Sequence, residues 1–361
     1  MTQPAGPDPQ VDLFCHQYLQ LEKDLDYPGE ELLRKEETQD DLYSRLFSGT
    51  ALSHPPPVRY QLRVLKELVA RIESSIDDWE QHVSDSPFQK TDFHANLAVL
   101  QGIHDGLMER MTILLAQPLP SEAVAAQQKS YVSYYLSGLE MPDNHAQPEI
   151  TILESRFLIS AGGTTGLRTW EAALHLGQYL CSRPDIVKSK RVLELGAGTG
   201  YLSILCAKYL GAQHVLASDG SEDVVNNLPE SFYLNGLQGS EAVMATELLW
   251  GHALLGTEEA EWNGGRPVDV VLGADITYDG SVIPSLVATL EELVSLHPRV
   301  DIIISATERN RETFETFKGV TAKAGFAVET VDFPITPRKE QRGPFYSDSV
   351  PIHICRLRRQ G

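Results

Sequence analysis

Residues 190–219 read KRVLELGAGTGYLSILCAKYLGAQHVLASD, and this stretch decides the fold of the chain. Its apolar residues predict a buried strand, a helix and a second strand, in that order. Gly196, Gly198 and Gly200 form a turn directly after the first strand, and Asp219 follows the second. A glycine turn and an acid at the carboxyl ends of neighbouring strands are typical of a Rossmann-type nucleotide site, so we expect an α/β fold.

The spacing of the glycines narrows the choice of ligand. Dinucleotide sites prefer G-x-G-x-x-G, whereas here Tyr201 occupies the place of the third glycine. Because a pyrophosphate must approach the start of the helix closely, this tyrosine disfavours a dehydrogenase. The sequence ELGAGTG at 194–200 instead resembles motif I of the class I S-adenosylmethionine-dependent methyltransferases, in which the turn holds the methionine and ribose end of the cofactor. The alternative is a strand–helix turn that binds no ligand.

Five further strand patterns follow Asp219. Helical patterns lie between most of them, but a polar, glycine-rich loop at 258–267 separates the first two of the five and a turn separates the last two. With the two strands of the opening stretch, they predict a Rossmann-like seven-stranded, mostly parallel sheet with a terminal antiparallel hairpin. We assign this sheet to a domain at 150–361, which begins with an apolar strand at 150–153. The five later strands are predicted at 243–248, 268–274, 300–304, 326–333 and 352–357.

The region at 1–140 is predicted to be an all-helical N-terminal domain. A long helix follows the prolines at 55–57, Asp92 is a candidate cap for a second helix, and a third is predicted at 121–136. The region shows no catalytic constellation, so we expect it to pack on the second domain or to contact a substrate or partner. The apolar stripes of the first two helices are Leu62, Leu65, Val69, Ile72, Ile76, Trp79 and Val83, then Leu97, Leu100, Ile103, Leu107, Met111 and Leu114.

The chain is acidic: its 361 residues include 50 Asp and Glu against 30 Lys and Arg, a net charge of −20. This charge disfavours binding to nucleic acid or to an anionic membrane. No apolar run reaches the ~20 residues of a membrane span, and the N-terminus lacks a signal-sequence pattern. The four cysteines are scattered without a metal-ligand spacing. We therefore expect a cytoplasmic protein with reduced thiols and no bound metal, and we expect it to be a monomer.

Side chains suited to ligand binding lie just after the predicted strands, where parallel sheets hold their ligands. Trp250 offers a flat apolar surface for an adenine ring, although a core or rim tryptophan is the alternative. Asp275 closes an apolar strand and forms a D-x-x-Y sequence with Tyr278. The carboxylate can attract an amine, and the aromatic ring can contact a methylated ammonium. A lysine acceptor must also lose a proton, either to Asp275 or to water.

Five motifs in order resemble the seven-strand protein-lysine methyltransferases: TWEAA, ELGAGTG, the acid Asp219, LLWG and ADITYD. Within this group GGTTGLRTWEAA, TERN at 307–310 and the helical extension are most similar to the FAM86-type enzymes. The resemblance implies S-adenosyl-L-methionine as methyl donor and a lysine of translation elongation factor 2 as acceptor. It implies that Asp275 and Tyr278 line the acceptor channel as catalytic residues. The implied cofactor contacts are Trp170, Gly196, Ala197, Gly198, Asp219, Trp250 and Ala274.

Two other functions stay open from the sequence. The same fold could methylate a different protein or a small amine, or the chain could be a non-catalytic binding module that holds a partner through its helical region. Arg168 departs from the resemblance, because an apolar residue is expected at its position. The contacts of the loop that carries it are therefore not predicted.

Overall fold

The computed structural model describes residues 8–84, 102–121, 128–139, 147–156, 165–254, 263 and 265–360. Two compact units make up the chain, and each has its own hydrophobic core. The first unit is Met1–Ala125 with Ser130–Ser133, and the second is Ala126–Lys129 with Tyr134–Gly361.

Helices build most of the first unit. Those described are α1 (Pro9–Leu19), α2 (Glu30–Leu33), α3 (Glu36–Leu42), a π-helical turn (Tyr43–Phe47), α4 (Val58–Ser84) and α5 (Asp105–Ala116). The long helix α4 begins directly after the prolines, and Leu65 and Ile72 of its predicted stripe are fully buried in the core. Leu107 and Leu114 of α5 join the same core. Asp92, Leu97 and Leu100, predicted to belong to the second helix, lie outside the described residues.

The helix predicted at 121–136 is wrong where the structure describes it. Strand β1 (Ser130–Tyr135) lies there and forms a two-stranded sheet with β2 (Glu149–Glu154). Val132 and Tyr134 are fully buried whereas their neighbours along the strand are half-buried, which is the period of two of a strand. The three tyrosines of this segment favour a strand, since aromatic residues are common in strands. The prediction of a helix rests on the four-residue spacing of Val132 and Leu136, which is also the spacing of a helix face.

A seven-stranded sheet organises the second unit. Its strands are β3 (Arg191–Leu195), β4 (His214–Asp219), β5 (Val243–Glu247), β6 (Val270–Ala274), β7 (Asp301–Thr307), β8 (Phe326–Val331) and β9 (Ile352–Arg359). The strand order is β5-β4-β3-β6-β7-β9-β8, in which β9 runs antiparallel to both β7 and β8 and the other pairs are parallel. The predicted Rossmann-like sheet with a terminal antiparallel hairpin is confirmed.

The order of the strands creates a crevice between β3 and β6. From β3 the chain moves outward through β4 and β5, then returns to the other side of β3 to form β6 and β7. Ligands bind at such a switch point, outside the carboxyl ends of the strands. The helices described in this unit are α6 (Glu171–Ser182), α7 (Tyr201–Lys208), α8 (Glu222–Leu234), α9 (Ile283–Leu296) and α10 (Arg311–Lys323), with a 3₁₀ turn at Pro184–Ile186. None of the helices in the described ranges is long and apolar enough to cross a membrane.

Candidate active site

A cavity of about 390 Å³ opens at the carboxyl ends of β3, β4 and β6. It lies at the switch point of the sheet, because the segments that follow β3 and β6 form opposite walls. The structure brings together in this cavity every site residue named from the sequence. They are Trp170, Gly196, Ala197, Gly198, Asp219, Trp250, Ala274, Asp275 and Tyr278.

The glycine turn after β3 needs its glycines for two reasons. Gly196 and Gly198 have φ angles of +65° and +54°, a region that side chains with a Cβ adopt at a cost. A Cβ on Gly196 would lie 2.6 Å from Cγ2 of Ile276 and 3.5 Å from the Trp250 ring. A Cβ on Gly198 would lie 3.4 Å from the carbonyl oxygen of Gly166. The absence of a Cβ at these two glycines therefore allows Ile276 and Gly166 to pack closely against the backbone of the turn.

Asp219 ends β4 beside this turn. Its Oδ2 accepts a hydrogen bond from the N–H of Gly198 at 3.1 Å, and its Oδ1 accepts one from the N–H of Ser221 at 3.0 Å. Burial raises the pKa of this carboxyl above its usual value, while the backbone donors oppose the shift. A carboxylate has about four lone-pair sites, so Asp219 can accept further hydrogen bonds from the hydroxyls of a ligand.

The segment before α6 forms another wall and is anchored at several points. The N–H of Thr169 donates to Oε2 of the buried Glu154 at 2.7 Å, and the Thr169 hydroxyl lies 2.7 Å from that of Thr199 in the glycine turn. Trp170 follows as the N-cap residue of α6, and its indole N–H donates to the carbonyl of Thr165 at 2.9 Å. These bonds fix the Trp170 ring against the cavity.

Asp275 occupies the end of β6 in an unusual backbone conformation, with φ of +53°. Its Oδ1 accepts from the N–H of Thr307 at 2.9 Å, and its Oδ2 accepts from the Thr307 hydroxyl at 3.0 Å. The N–H of Ala172, in the first turn of α6, lies 3.4 Å from the same Oδ2. Backbone strain of this kind concentrates at functional sites, and here these bonds to two other elements hold it in place.

Tyr278 stands between two cavities. Its side chain is 56% exposed, and its hydroxyl accepts a hydrogen bond from the Thr165 hydroxyl at 3.3 Å. A second cavity of about 290 Å³ lies beside the first and shares with it Thr165, Trp170, Asp275 and Tyr278. The two cavities are therefore separated by the side chains of the D-x-x-Y sequence and of the Trp170 segment.

A cluster of charged side chains surrounds Trp170, and the sequence analysis did not predict it. The Cζ atoms of Arg168 and Arg309 lie 4.4 and 4.9 Å from the centroid of the Trp170 ring. Glu171 pairs with both arginines, and Arg309 also lies 3.4 Å from Oδ2 of Asp275. TERN, which contains Arg309, indicates only a family resemblance. A cation placed after β7, at the ligand edge of the sheet, is the signal that could have indicated its role.

The residues of the larger cavity fit S-adenosylmethionine. Gly196 and Gly198 line the cavity with backbone alone, and Asp219 retains acceptor sites for ribose hydroxyls. Trp250 provides an aromatic face, and its buried indole N–H finds no partner among the described residues, so it can donate to a bound molecule. The fold and this site define a class I S-adenosylmethionine-dependent methyltransferase.

Comparison with known proteins places the chain within this class. A family model described as lysine methyltransferase matches residues 146–323. The chain is 60% identical over 355 residues to the protein-lysine N-methyltransferase EFM3 of Chaetomium thermophilum, covering 98% of this chain and 99% of that protein. It is 26% identical over 344 residues to human EEF2KMT, covering 92% and 88% of the two chains.

The chain belongs to the lysine methyltransferase family that includes EFM3. It is a protein-lysine N-methyltransferase that uses S-adenosylmethionine as methyl donor, as the sequence motifs predicted. EFM3 of Saccharomyces cerevisiae is 34% identical over 201 residues, covering 51% of this chain and 56% of that protein.

Proposed function

We propose that the enzyme methylates a lysine of translation elongation factor 2. The observation that carries this proposal is the near full-length similarity to human EEF2KMT, whose name denotes that factor. The bovine protein of the same name is 27% identical and is covered over 89% of its length. Because both matches extend well beyond the sheet, they include the N-terminal region, which we propose contributes to contact with the substrate protein.

The larger cavity is the proposed cofactor site. Asp219 would accept hydrogen bonds from the ribose hydroxyls, Trp250 and Trp170 would offer aromatic surfaces, and the backbone at 196–198 with Ala274 would hold the methionine end. When bound, S-adenosylmethionine supplies a methyl group on a sulfonium: the lysine lone pair forms the N–C bond while the C–S bond breaks and its electron pair stays on sulfur. The main tasks of the protein are therefore alignment and electrostatics.

The smaller cavity is the proposed acceptor channel. Asp275 and Tyr278 lie on its border with the larger cavity, where an amine in the channel would meet the bound cofactor. Trp170, Tyr278 and Phe314 give the channel aromatic walls, which suit the aliphatic stem of lysine and a methylated nitrogen.

Water is the proposed receiver of the acceptor proton. Asp275 already accepts two hydrogen bonds from Thr307 and lies against the guanidinium of Arg309. These contacts engage both oxygens of Asp275. The proposed role of Asp275 is therefore to shape the channel and orient the acceptor.

The test is methyl transfer from labelled S-adenosylmethionine to purified elongation factor 2, with mass spectrometry of the product. We expect one labelled lysine with the wild-type enzyme. Asp275→Ala is expected to lose methylation while it still binds the cofactor in calorimetry. Full activity of that variant would contradict the role of Asp275. A single labelled band at another mass in whole lysate would reject elongation factor 2 as the substrate. Size exclusion and cell fractionation test the further proposal of a cytoplasmic monomer.

A further inference from the structure

The proposed acceptor channel contains a cation, the guanidinium of Arg309, whose effect on the acceptor lysine is not part of the proposed function. Arg309 lines this channel together with Asp275 and Tyr278. Its Nη1 lies 3.4 Å from Oδ2 of Asp275, its Nη2 donates to Glu171, and its Cζ lies 4.9 Å from the centroid of the Trp170 ring. Contacts with two carboxylates and one aromatic ring hold the guanidinium in one place.

The carboxylates beside the channel are already compensated. Arg309 and Thr307 occupy the oxygens of Asp275, and Glu171 is shared by Arg309 and by Arg168, whose Nη2 lies 3.6 Å away. An ammonium that enters the channel therefore meets no unpaired negative charge from either carboxylate, because the two guanidiniums balance the two carboxylates.

Other titratable groups adjoin the channel from neighbouring elements. Tyr278 contributes a phenol from the segment after β6. Glu308 and His353 form a pair at 2.7 Å between the end of β7 and β9, and the His353 ring stacks on Phe314 at 4.6 Å. His353 carries the imidazole nearest to this channel wall, so its contribution must be separated from that of Arg309.

We infer that Arg309 holds the acceptor lysine in its neutral, nucleophilic form, a role that rests on the proposed acceptor channel. A like charge nearby disfavours the ammonium and lowers the pKa of the lysine, as adjacent cations do for nucleophilic lysines in general. The proton passes to water, and the nitrogen keeps the lone pair that forms the N–C bond. Removing the guanidinium would also leave Asp275 uncompensated, and both effects favour the ammonium.

The test is the single-turnover rate of methyl transfer to elongation factor 2 as a function of pH, with saturating enzyme and cofactor. Such a rate reports the pKa of the bound acceptor. For Arg309→Gln we expect the midpoint of the rising limb to move up by about one pH unit, hence about tenfold slower transfer at a pH below the midpoint. Arg309→Lys keeps the charge and is expected to restore the wild-type midpoint.

A control variant separates this role from a contribution of the neighbouring imidazole. His353→Gln removes the imidazole near the channel and is expected to keep the wild-type midpoint. Calorimetry is expected to show unchanged cofactor affinity for Arg309→Gln. An equal loss of rate at every pH, or no rescue by lysine, would overturn the inference. Absence of lysine methylation by the wild-type enzyme would instead reject the proposed function, and this inference with it.

Discussion

Asp275 and Thr307 are joined by two hydrogen bonds, from the backbone N–H of Thr307 at 2.9 Å and from its hydroxyl at 3.0 Å. The pair ties the end of β6 to the end of β7, the neighbouring strand in the sheet. Asp275 adopts a φ of +53°, and such a conformation costs a residue with a Cβ about 1–2 kcal/mol. The two bonds therefore hold a strained residue at the border between the two cavities.

Removing the Thr307 hydroxyl tests how much this pair contributes. Thr307→Val keeps the shape but leaves Oδ2 of Asp275 with one donor fewer, so we expect a loss of about 1 kcal/mol in unfolding free energy. Because the acceptor wall loosens, we expect the rate of methyl transfer to fall by about tenfold to a hundredfold. Thr307→Ser keeps the hydroxyl and is expected to stay close to wild type. Equal rates for the two variants in initial-velocity assays would refute this dependence.

Substitution of Gly196 tests the close packing of the glycine turn. Gly196→Ala places a Cβ 2.6 Å from Ile276 in a backbone with φ of +65°, so we expect loss of cofactor binding in calorimetry and a lower Tm. Gly236→Ala is the matched control, since Gly236 has φ of +73° and no atom within 4 Å of the added Cβ. It carries the backbone cost alone, about 1–2 kcal/mol, and is expected to bind the cofactor normally. Similar cofactor affinities for both variants would show that the turn tolerates a side chain.

Asp219 and Asp279 have similar local hydrogen bonds, so Asp279 can serve as the control for a substitution of Asp219. Each accepts a hydrogen bond from the N–H of the serine two residues ahead, at 3.0 Å for Ser221 and 2.8 Å for Ser281. Asp219 lines the larger cavity, whereas Asp279 lines neither cavity. We expect Asp219→Ala to weaken S-adenosylmethionine binding by about tenfold to a hundredfold in calorimetry, because a charged acceptor is lost. Asp279→Ala is expected to leave the affinity unchanged, and equal weakening by both would refute the assignment.

Much of the site could be predicted because its residues directly follow strands that the sequence pattern identifies. The glycine turn and Asp219 lie at the ends of strands with clear apolar patterns, and parallel strands bring such ends to one edge. Asp275 and Tyr278 follow another buried strand, so the same rule places them nearby.

What the sequence did not predict are contacts between distant segments. Glu171 and Arg309 are 138 positions apart, and Thr169 reaches Glu154 from a different element. The Thr169 hydroxyl lies against Thr199, and the N-cap position of α6 belongs to Trp170. Local propensity carries no information on which side chains tertiary packing brings together.

Glu194 lowers the stability of the fold as the pH rises, which is the opposite of the usual effect of an acidic residue. It is 3% exposed within β3, and burial raises the pKa of its carboxyl to about 8, although the Ser203 hydroxyl donates to it. In the unfolded chain this pKa is about 4.3. The native state therefore keeps a proton that the unfolded state releases, so the contribution of Glu194 to stability is complete below about pH 4 and is lost as pH rises towards 8.

Glu194→Gln is neutral at every pH, and its oxygen can still accept from Ser203. We expect the unfolding free energy of this variant, relative to wild type, to increase steadily between pH 5 and pH 8 in urea titrations. Asp269→Asn is the control, because hydrogen bonding to Arg191 lowers the pKa of Asp269 and keeps it ionised over this whole range. Its difference from wild type is expected to stay constant. A constant difference for Glu194→Gln as well would show that the carboxyl is already ionised at pH 5.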